Sequence, residues 1–216
     1  MKSPEVDFLF NLYARMAPRY DLYAQLLPLL GFRQMRYRTL AIDALHLKPG
    51  HMVVDVGCGT GMNFCHLEKT IGPSGKIIGV DLSDAMLGQA RMRIAKGGWR
   101  NIELVCSDAA EFSFPPDVGG IISTFALTLL PGYDAVIGRG AEALATGARW
   151  CVLDFKIPTN WLEPVAPILA RILVVPFGGT IEMGERRPWE SIQKYLDPVL
   201  FRELYFGCAY IAVGQR

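Results

Sequence analysis

The segment VVDVGCGTG, residues 53–61, constrains the fold of this 216-residue chain more than any other stretch. It reads as a buried strand that runs into a glycine-rich turn and then into a helix. Glycine adopts the positive φ angles that such a turn needs, and it lets a ligand approach the main chain closely. The exposed N–H groups at the start of the following helix attract an anionic group. The segment therefore predicts a strand–turn–helix unit that holds a small anionic ligand.

Around this unit, apolar strands alternate with helices, which predicts a parallel sheet covered on both faces. The expected strands are 51–56, 76–80, 102–106, 120–123 and 148–155, and the expected helices run to about 69 and over 85–96 and 133–145. Only a couple of residues separate the last two strands, 202–206 and 209–214. This spacing allows only an antiparallel hairpin. The predicted fold class is α/β, with a Rossmann-like, seven-stranded, mostly parallel sheet and a C-terminal antiparallel hairpin.

Composition excludes several classes of protein. The net charge of +1 predicts no general attraction to nucleic acid. Five cysteines without CxxC spacing favour reduced thiols in a cytoplasmic protein over a disulfide framework or a metal site. The N-terminal MKSPEVDF lacks the layout of a signal peptide, and no uncharged apolar run reaches the ~20 residues of a membrane span. We expect a cytoplasmic protein, peripheral on the inner membrane face, that binds neither metal nor nucleic acid.

Asp81 ends the second strand, where an acid can accept both hydroxyls of a ribose. The dinucleotide fingerprint GxGxxG would place its third glycine at Met62, which disfavours an NAD(P)-binding reductase. The chain instead reads DxGxGxG from Asp55. This pattern resembles motif I of the class I S-adenosylmethionine (SAM) methyltransferases, and the resemblance extends over 52–155.

The resemblance implies SAM as cofactor and S-adenosylhomocysteine as product. The turn would receive the carboxylate of SAM, Asp55 its ammonium group, Asp81 its ribose, and Asp108 with Ala109 its adenine. Leu82 and Met86 would pack on the adenine faces. Thr124, in ISTFALTLLP, would lie under the methionine part, and Tyr20 would cover the sulfonium. The full set of expected cofactor residues is Tyr20, Asp55, Gly57, Cys58, Gly59, Gly61, Asp81, Leu82, Met86, Asp108, Ala109 and Thr124.

Within this fold the chain divides into a helical lid (1–45, broken at Pro18, Pro28 and Gly31), a SAM-binding core (46–156), an acceptor-side cover (157–200) and the hairpin (201–216). The lid segment NLYARMAPRYDLYAQLLP resembles the "YD" helix of ubiquinone/menaquinone methyltransferases and of bacterial phospholipid N-methyltransferases. Tyr20 and Tyr23, with Tyr13 as a third candidate, would line the acceptor pocket. All three histidines lie away from the carboxyl ends of the strands, where ligands bind, which disfavours a histidine base.

The expected catalytic residues are Tyr20, Tyr23, Thr128 and Asp154. Thr128 occupies a place after strand four where the family often has histidine. Asp154 would accept a proton from an amine, although a structural pair with Lys156 is equally consistent with the sequence.

The stretch WLEPVAPILARILVVPFGG, 161–179, is apolar but broken by prolines. We interpret it as a lipid-facing cover with Trp161, Phe177 and Trp189 as anchors, and packing on the sheet is the alternative. Arg186 and Arg187, with Lys156, would bind a phosphate, unless the arginines form surface salt bridges. ERRPW and ELYFGCAYIAVG resemble the tail of bacterial phosphatidylethanolamine N-methyltransferases and betaine-lipid methyltransferases.

These features predict a SAM-dependent methyltransferase with a lipid-like acceptor, which methylates phosphatidylethanolamine towards phosphatidylcholine at a membrane surface. One alternative is a C-methyltransferase of ubiquinone/menaquinone biosynthesis, which shares the lid and the core. An alternative of another class is a SAM-binding protein without catalysis.

Overall fold

We describe the fold from a computed structural model, which covers residues 4–165, 168, 171 and 182–216. Its centre is one seven-stranded sheet with the order β3-β2-β1-β4-β5-β7-β6. The strands are β1 (Met52–Val56), β2 (Lys76–Asp81), β3 (Ile102–Cys106), β4 (Val118–Thr124), β5 (Leu144–Phe155), β6 (Asp197–Leu204) and β7 (Ala209–Gln215). Strand β7 runs antiparallel to both β5 and β6, and the other pairs are parallel. The predicted fold class is confirmed.

Helices cover both faces of the sheet. They are α1 (Pro4–Leu26), α2 (Gln34–Ala44), α3 (Phe64–Ile71), α4 (Asp84–Gly97), α5 (Tyr133–Ala143) and α6 (Pro188–Tyr195), with short 3-10 helices at Leu27–Leu30, Leu127–Leu129, Glu163–Val165, Glu182–Glu185 and Tyr205–Gly207. Successive side chains of a strand point to opposite faces, so Val53 joins the core under α2–α4 while Val54 joins the core under α5 and α6. The site therefore rests on a sheet that is buried on both sides.

Besides shifts at the ends of other elements, such as β5, which begins at Leu144, the structure differs from the sequence-based prediction at three places. Helix α1 continues through Pro18, where we expected a break. Strand β6 begins at Asp197 and ends at Leu204, because Tyr205 and Phe206 adopt positive φ and leave the ladder. Helix α6 was not predicted. Of the 161–179 segment, residues 166–167, 169–170 and 172–179 lie outside the described residues, including Phe177.

Candidate functional site

A cavity of about 290 Å³ opens at the carboxyl ends of β1, β2 and β4, where open α/β sheets bind their ligands. The glycine turn, the end of β2, the loop after β3 and the segment after β4 form its walls, and helix α1 covers it. The lining residues are Phe10, Tyr13, Tyr20, Arg38, Gly57, Cys58, Gly59, Thr60, Met62, Val80, Asp81, Leu82, Ser83, Met86, Ser107, Asp108, Ala109, Ala110, Thr124, Phe125, Ala126, Leu129, Leu130, Pro131 and Gly132. Most of the expected cofactor residues therefore meet at one place.

The glycine turn is closed by hydrogen bonds within the protein. The N–H groups of Gly57 and Cys58 both donate to Val80 O, at 2.8 and 3.0 Å. The N–H of Gly59 donates to Asp81 Oδ2 at 2.8 Å, and that of Gly61 to Cys58 O. Gly61 is not among the lining residues. These four N–H groups are already engaged, so a carboxylate in the cavity needs another partner.

Asp81 lies at the end of β2 with both carboxylate oxygens anchored. Oδ2 accepts from Gly59 N, and Oδ1 accepts from Ser83 N at 2.9 Å. Burial raises the pKa of Asp81, and the N–H bonds oppose that shift. A carboxylate oxygen has a further lone pair beyond each of these bonds. The anchored side chain can therefore accept two neighbouring hydroxyls, which fits a ribose.

The far end of the cavity is apolar with one carboxylate. Leu82, Met86 and Ala109 supply apolar surface to the lining, and Asp108 supplies the carboxylate. Asp108 Oδ1 accepts from Ala110 N at 2.9 Å, which fixes the orientation of the carboxylate. A flat ring between apolar side chains, with a carboxylate near its edge, fits this end.

A buried polar network lies beneath the cavity. Asn63 Nδ2 donates to both oxygens of Asp55, at 3.0 and 3.2 Å, and to Thr124 Oγ1 at 3.1 Å. Arg38 Nη1 donates to Asn63 Oδ1 at 3.0 Å and also to Thr124 Oγ1. Asp55 is fully buried, accepts hydrogen bonds from Asn63 and is not among the residues that line the cavity, so its contact with the ammonium group of SAM stays a prediction.

Arg38 presents the positive charge that a carboxylate in the cavity requires. Its guanidinium is buried, lines the cavity and lies 5.2 Å from the centre of the Phe125 ring. Its Nε has no hydrogen-bond partner within the described part of the chain. Nε is itself shielded by the protein, so the part of the guanidinium that borders the cavity is the candidate partner for a ligand anion. The donor set as a whole, with Asp81 and Asp108, fits SAM.

The pKa of Asp55 predicts a pH-dependent stability. Burial raises the pKa of Asp55 from 3.8 to about 7, against the opposing hydrogen bond from Asn63 and the charge of Arg38. A raised carboxyl pKa means that the folded state holds the proton longer than the unfolded state. This contribution to stability is thus present below about pH 4 and is lost as pH rises towards 7.

Between pH 5 and pH 8 we expect the ionisation of Asp55 to lower the free energy of unfolding by about 3 kcal/mol. The variant Asp55→Asn should lack this decrease. Urea unfolding of the ligand-free protein and the variant at both pH values measures it. An identical pH slope in the two proteins would show that Asp55 does not titrate there.

Helix α1 is fastened over the cavity by Asp21. Asp21 Oδ1 accepts from Thr60 Oγ1 at 2.6 Å, and Oδ2 pairs with Arg93 Nη2. Arg93 Nε also donates to Thr60 O at 2.8 Å, so α1, the glycine turn and α4 are joined at one point. This clamp explains how α1 remains helical through Pro18, because tertiary contacts beyond the proline hold its second half. Tyr20 lies beside the clamp and lines the cavity, whereas Tyr23 is 41% exposed and does not.

Opening this clamp is expected to weaken ligand retention. For Asp21→Asn, we predict a SAM dissociation constant raised roughly tenfold, since an ion pair and a charge-assisted bond are weakened together. Isothermal titration calorimetry measures it. Asp43→Asn, which removes an exposed acid paired with His66 outside the cavity, is the matched control. Equal affinities for Asp21→Asn and the unaltered protein would show that α1 is held by other contacts.

The remaining candidates surround the cavity without lining it. Buried Asp154 accepts from the backbone N–H groups of Thr128 and Phe155, both at 2.9 Å, and burial raises its pKa to about 6. Thr128 is buried as well. Asp154 thereby holds the 3-10 turn Leu127–Leu129, whose last residue forms part of the cavity wall. It does not pair with Lys156, which instead pairs with Glu203.

The two arginines expected to grip a phosphate diverge. Arg186 Nη1 donates to Thr128 O at 2.9 Å, and Arg187 Nη1 pairs with Glu190 at 3.0 Å. Arg187 therefore forms a surface salt bridge, which was the alternative to phosphate binding. Trp189 packs against Tyr210 with ring centres 4.9 Å apart, so it is a core contact and not an exposed anchor.

Sequence reasoning missed Arg38, Thr60 and Phe125. One signal for Arg38 exists: on α2 the buried positions are Gln34, Arg38, Ala41 and Ile42, which form a single helical stripe. A guanidinium on the core-facing stripe of a helix needs a buried partner. No comparable local signal marks Phe125, whose φ of 57° follows from its place after β4.

No helix among the described residues is both long and apolar enough to cross a bilayer. Nor do three or more His, Cys, Asp or Glu side chains converge there as a metal site would require.

Comparison with known proteins gives a consistent result. The family model described as "ubiE/COQ5 methyltransferase family" matches residues 2–205. The ubiquinone/menaquinone biosynthesis C-methyltransferase UbiE of Pseudomonas putida (strain F1) is 27% identical over 202 residues, which cover 91% of this chain and 78% of that protein.

Two solved structures show the same fold. A SAM-dependent methyltransferase from Aquifex aeolicus has a TM-score of 0.63 at 19% identity, over 82% of this chain and 88% of that one. A chain of the complex between the Haloferax volcanii Trm112 methyltransferase activator and a putative methyltransferase has a TM-score of 0.71 at 15% identity, over 94% and 96%. The resemblance to class I SAM methyltransferases is confirmed.

Proposed function

This chain belongs to the ubiE/COQ5 methyltransferase family, and from that membership we propose that it methylates a ring carbon of a hydrophobic, quinol-type acceptor. As a SAM-dependent methyltransferase it is an enzyme, which sets aside the alternative of a SAM-binding protein without catalysis. The curated relatives are named C-methyltransferases of ubiquinone/menaquinone biosynthesis. Their names favour C-methylation of a quinone-type ring, the first alternative given above, over phosphatidylethanolamine N-methylation.

The observation that carries the proposal is the uncharged wall beside the cofactor residues. Phe10, Phe125, Leu129, Leu130 and Pro131 line this part of the cavity. Such a wall suits an apolar aromatic ring. Among the described lining residues the sole cation is Arg38, which lies in the buried network under the cofactor end.

The expectation of phospholipid N-methylation is not supported. It depended on a phosphate grip by Arg186 and Arg187 with Lys156, and the three side chains are committed to Thr128 O, Glu190 and Glu203. A phosphodiester headgroup would need two or more convergent donors. The structure brings no such set to the cavity from the residues it describes.

In this proposal the chain supplies binding and exclusion of water. Arg38 holds the carboxylate of SAM, Asp81 its ribose, and Asp108 the edge of its adenine. When bound, SAM supplies an electrophilic methyl group. Tyr13 and Tyr20 cover the cavity, and burial raises the pKa of both, so their hydroxyls keep their protons near neutral pH. Their oxygens and ring faces favour a neighbouring cation.

Positioning carries most of the expected rate gain, because an in-line displacement gains chiefly from alignment. Asp154 contributes indirectly, since the hydrogen bond that it accepts from Thr128 N holds the turn that places Leu129 in the wall. A ring carbon attacks the methyl group only when the ring is electron-rich. The acceptor is thus the reduced quinol, whose ring proton leaves to solvent after the new carbon–carbon bond has formed.

The test uses purified protein and SAM labelled with ¹³C in its methyl group. One reaction contains a short-chain prenylated demethylquinol kept reduced with dithionite. Parallel reactions contain the oxidised quinone or phosphatidylethanolamine vesicles. We expect a ring-bound ¹³C-methyl signal by NMR and mass spectrometry only with the quinol. Label on nitrogen of the phospholipid, or label in none of the acceptors, would overturn the proposal.

A further inference from the structure

A run of consecutive residues, Leu129 to Gly132, supplies much of the cavity wall that the proposed function assigns to the acceptor. Leu129 ends the 3-10 helix Leu127–Leu129, and Gly132 is the residue before helix α5. Between these two elements the chain makes a turn at Pro131 and Gly132. We call this run the 129–132 wall. Its position in the cavity depends on what holds its two ends.

The residue before the wall, Thr128, has a charged partner at each of its backbone groups. Its N–H donates to Asp154 Oδ2 at 2.9 Å, and its carbonyl oxygen accepts from Arg186 Nη1 at 2.9 Å. Hydrogen bonds with a charged partner are about twice as strong as those between neutral groups. An acid at the end of β5 and an arginine before α6 therefore fix the backbone at this end of the wall.

The residue after the wall, Tyr133, is held by the same segment. The backbone N–H of Arg187 donates to Tyr133 Oη at 3.3 Å. Two arginines that are neighbours in sequence thus contact the residues on both sides of the wall. Arg186 does so through its side chain and Arg187 through its backbone. We call these two residues the 186–187 brace.

Helix α6 fixes the brace to helix α5. Arg187 is the N-cap residue of α6. Three side chains of α6 donate to Asp134 in the first turn of α5, namely Ser191 Oγ at 2.7 Å, Tyr195 Oη at 2.8 Å and Lys194 Nζ at 2.9 Å. Because α5 begins directly after the wall, the brace and the wall are attached to the same pair of helices.

The cofactor end of the cavity is held by other contacts. The N–H groups of Gly59 and Ser83 hold Asp81, and Asn63 accepts from Arg38. A change in the brace should therefore affect the acceptor wall and leave the cofactor residues in place.

We propose that Arg186 and Tyr133 are positioning residues, which hold the 129–132 wall in the conformation that receives the acceptor ring. The bracing of the wall follows from the contacts above, whereas its effect on the acceptor rests on the proposed function. An apolar wall contacts the ring equally in the ground state and in the transition state. Loosening the wall therefore weakens acceptor binding rather than the chemical step.

The test combines steady-state kinetics with the demethylquinol and calorimetric titration with S-adenosylhomocysteine. We expect Arg186→Met, a long side chain that cannot donate, to raise KM for the quinol about tenfold. Both kcat and the dissociation constant of S-adenosylhomocysteine should change by less than about twofold. Tyr133→Phe, which loses only the accepting oxygen, should raise KM about threefold.

Two further variants separate the hydrogen bond from packing. Arg186→Lys restores a charged donor, so KM should return most of the way to that of the unaltered protein. A side chain that only filled space would be replaced as well by methionine as by lysine. Arg91→Met is the matched control, because Arg91 is an exposed arginine that pairs with Asp84 on α4. Its KM should equal that of the unaltered protein.

Hydrogen exchange, followed by mass spectrometry, reports on the wall without any acceptor. The N–H groups of Leu129 and Leu130 donate within the turn, to Ala126 O and Leu127 O. In the complex with S-adenosylhomocysteine, Arg186→Met should raise the exchange rate of these amides about tenfold, because the turn opens more often.

Unchanged exchange in Arg186→Met would show that the wall is not braced and would overturn the proposal. Faster exchange with an unchanged KM would overturn the role at the acceptor, and so would a loss of S-adenosylhomocysteine affinity as large as the rise in KM. If the unaltered protein methylated no acceptor, the proposed function would fail and the role at the acceptor with it. The exchange rates would then decide by themselves whether the brace exists.

Discussion

Replacing Arg38 with methionine is expected to weaken the binding of S-adenosylhomocysteine about 100-fold while leaving the binding of 5′-methylthioadenosine nearly unchanged. The first ligand carries the carboxylate of the cofactor and the second lacks it. Arg38 is the sole cation among the described residues that line the cavity. A hydrogen bond to a charged group contributes up to about 3 kcal/mol, and 1.4 kcal/mol changes affinity tenfold.

Calorimetric titration with both ligands separates binding from structural damage. Arg38 also supports Asn63 and Thr124, so Arg38→Met will be less stable, and circular dichroism must confirm that it is folded at the titration temperature. Arg38→Lys keeps the charge but loses the fork of donors, and an intermediate loss of affinity is expected. Arg36→Met on the same helix is the exposed control. If both ligands were weakened equally, Arg38 would be a structural residue and the carboxylate would lie elsewhere.

The contrast between Arg38 and the glycine turn shows what a sequence can and cannot reveal about such a site. The turn was predicted from its glycine spacing and Asp81 from its place at the end of a strand, whereas Asp108 was implied by the resemblance to the methyltransferase family. The pairing of Arg38 with Asn63 and Thr124 spans 25 and 86 positions, and no local pattern encodes it. The N–H groups of the turn already have partners within the protein, so we propose that the carboxylate binds Arg38, a residue that the motif does not contain.

The same limit explains why the predicted phospholipid substrate is not supported. Arg186 and Arg187 are neighbours in sequence, yet one turns to Thr128 O and the other to Glu190. Adjacent side chains on an irregular segment need not converge, because the backbone direction at each residue decides where it points. Similarly, the tendency of Pro18 to break a helix can be read from the local sequence. The contacts of Asp21 with Arg93 and Thr60 outweigh it, and they are tertiary contacts that the local sequence does not show.

The turn provides the second large effect, at Gly57. Its φ is +70°, and a Cβ built there would lie 2.4 Å from Ala126 Cβ. Alanine in the left-handed region costs about 1–2 kcal/mol, and overpacking of a buried contact costs about 1–3 kcal/mol more. We expect Gly57→Ala to lower the free energy of unfolding by about 2–5 kcal/mol. Gly57→Ala should also abolish measurable SAM binding, because Gly57 and Ala126 both line the cavity.

A double-mutant cycle isolates the clash. Gly98→Ala is the control for backbone strain alone, because Gly98 is left-handed with φ 68° and ψ 19° and has nothing within 4 Å of a built Cβ. Its cost should be about 1–2 kcal/mol in urea unfolding. Adding Ala126→Gly to Gly57→Ala removes the clash, so the loss in free energy of unfolding should fall to that of Gly98→Ala. The difference is a coupling energy of about 1–3 kcal/mol. A coupling energy near zero would show that the turn shifts away from Ala126, and SAM binding should then survive in Gly57→Ala.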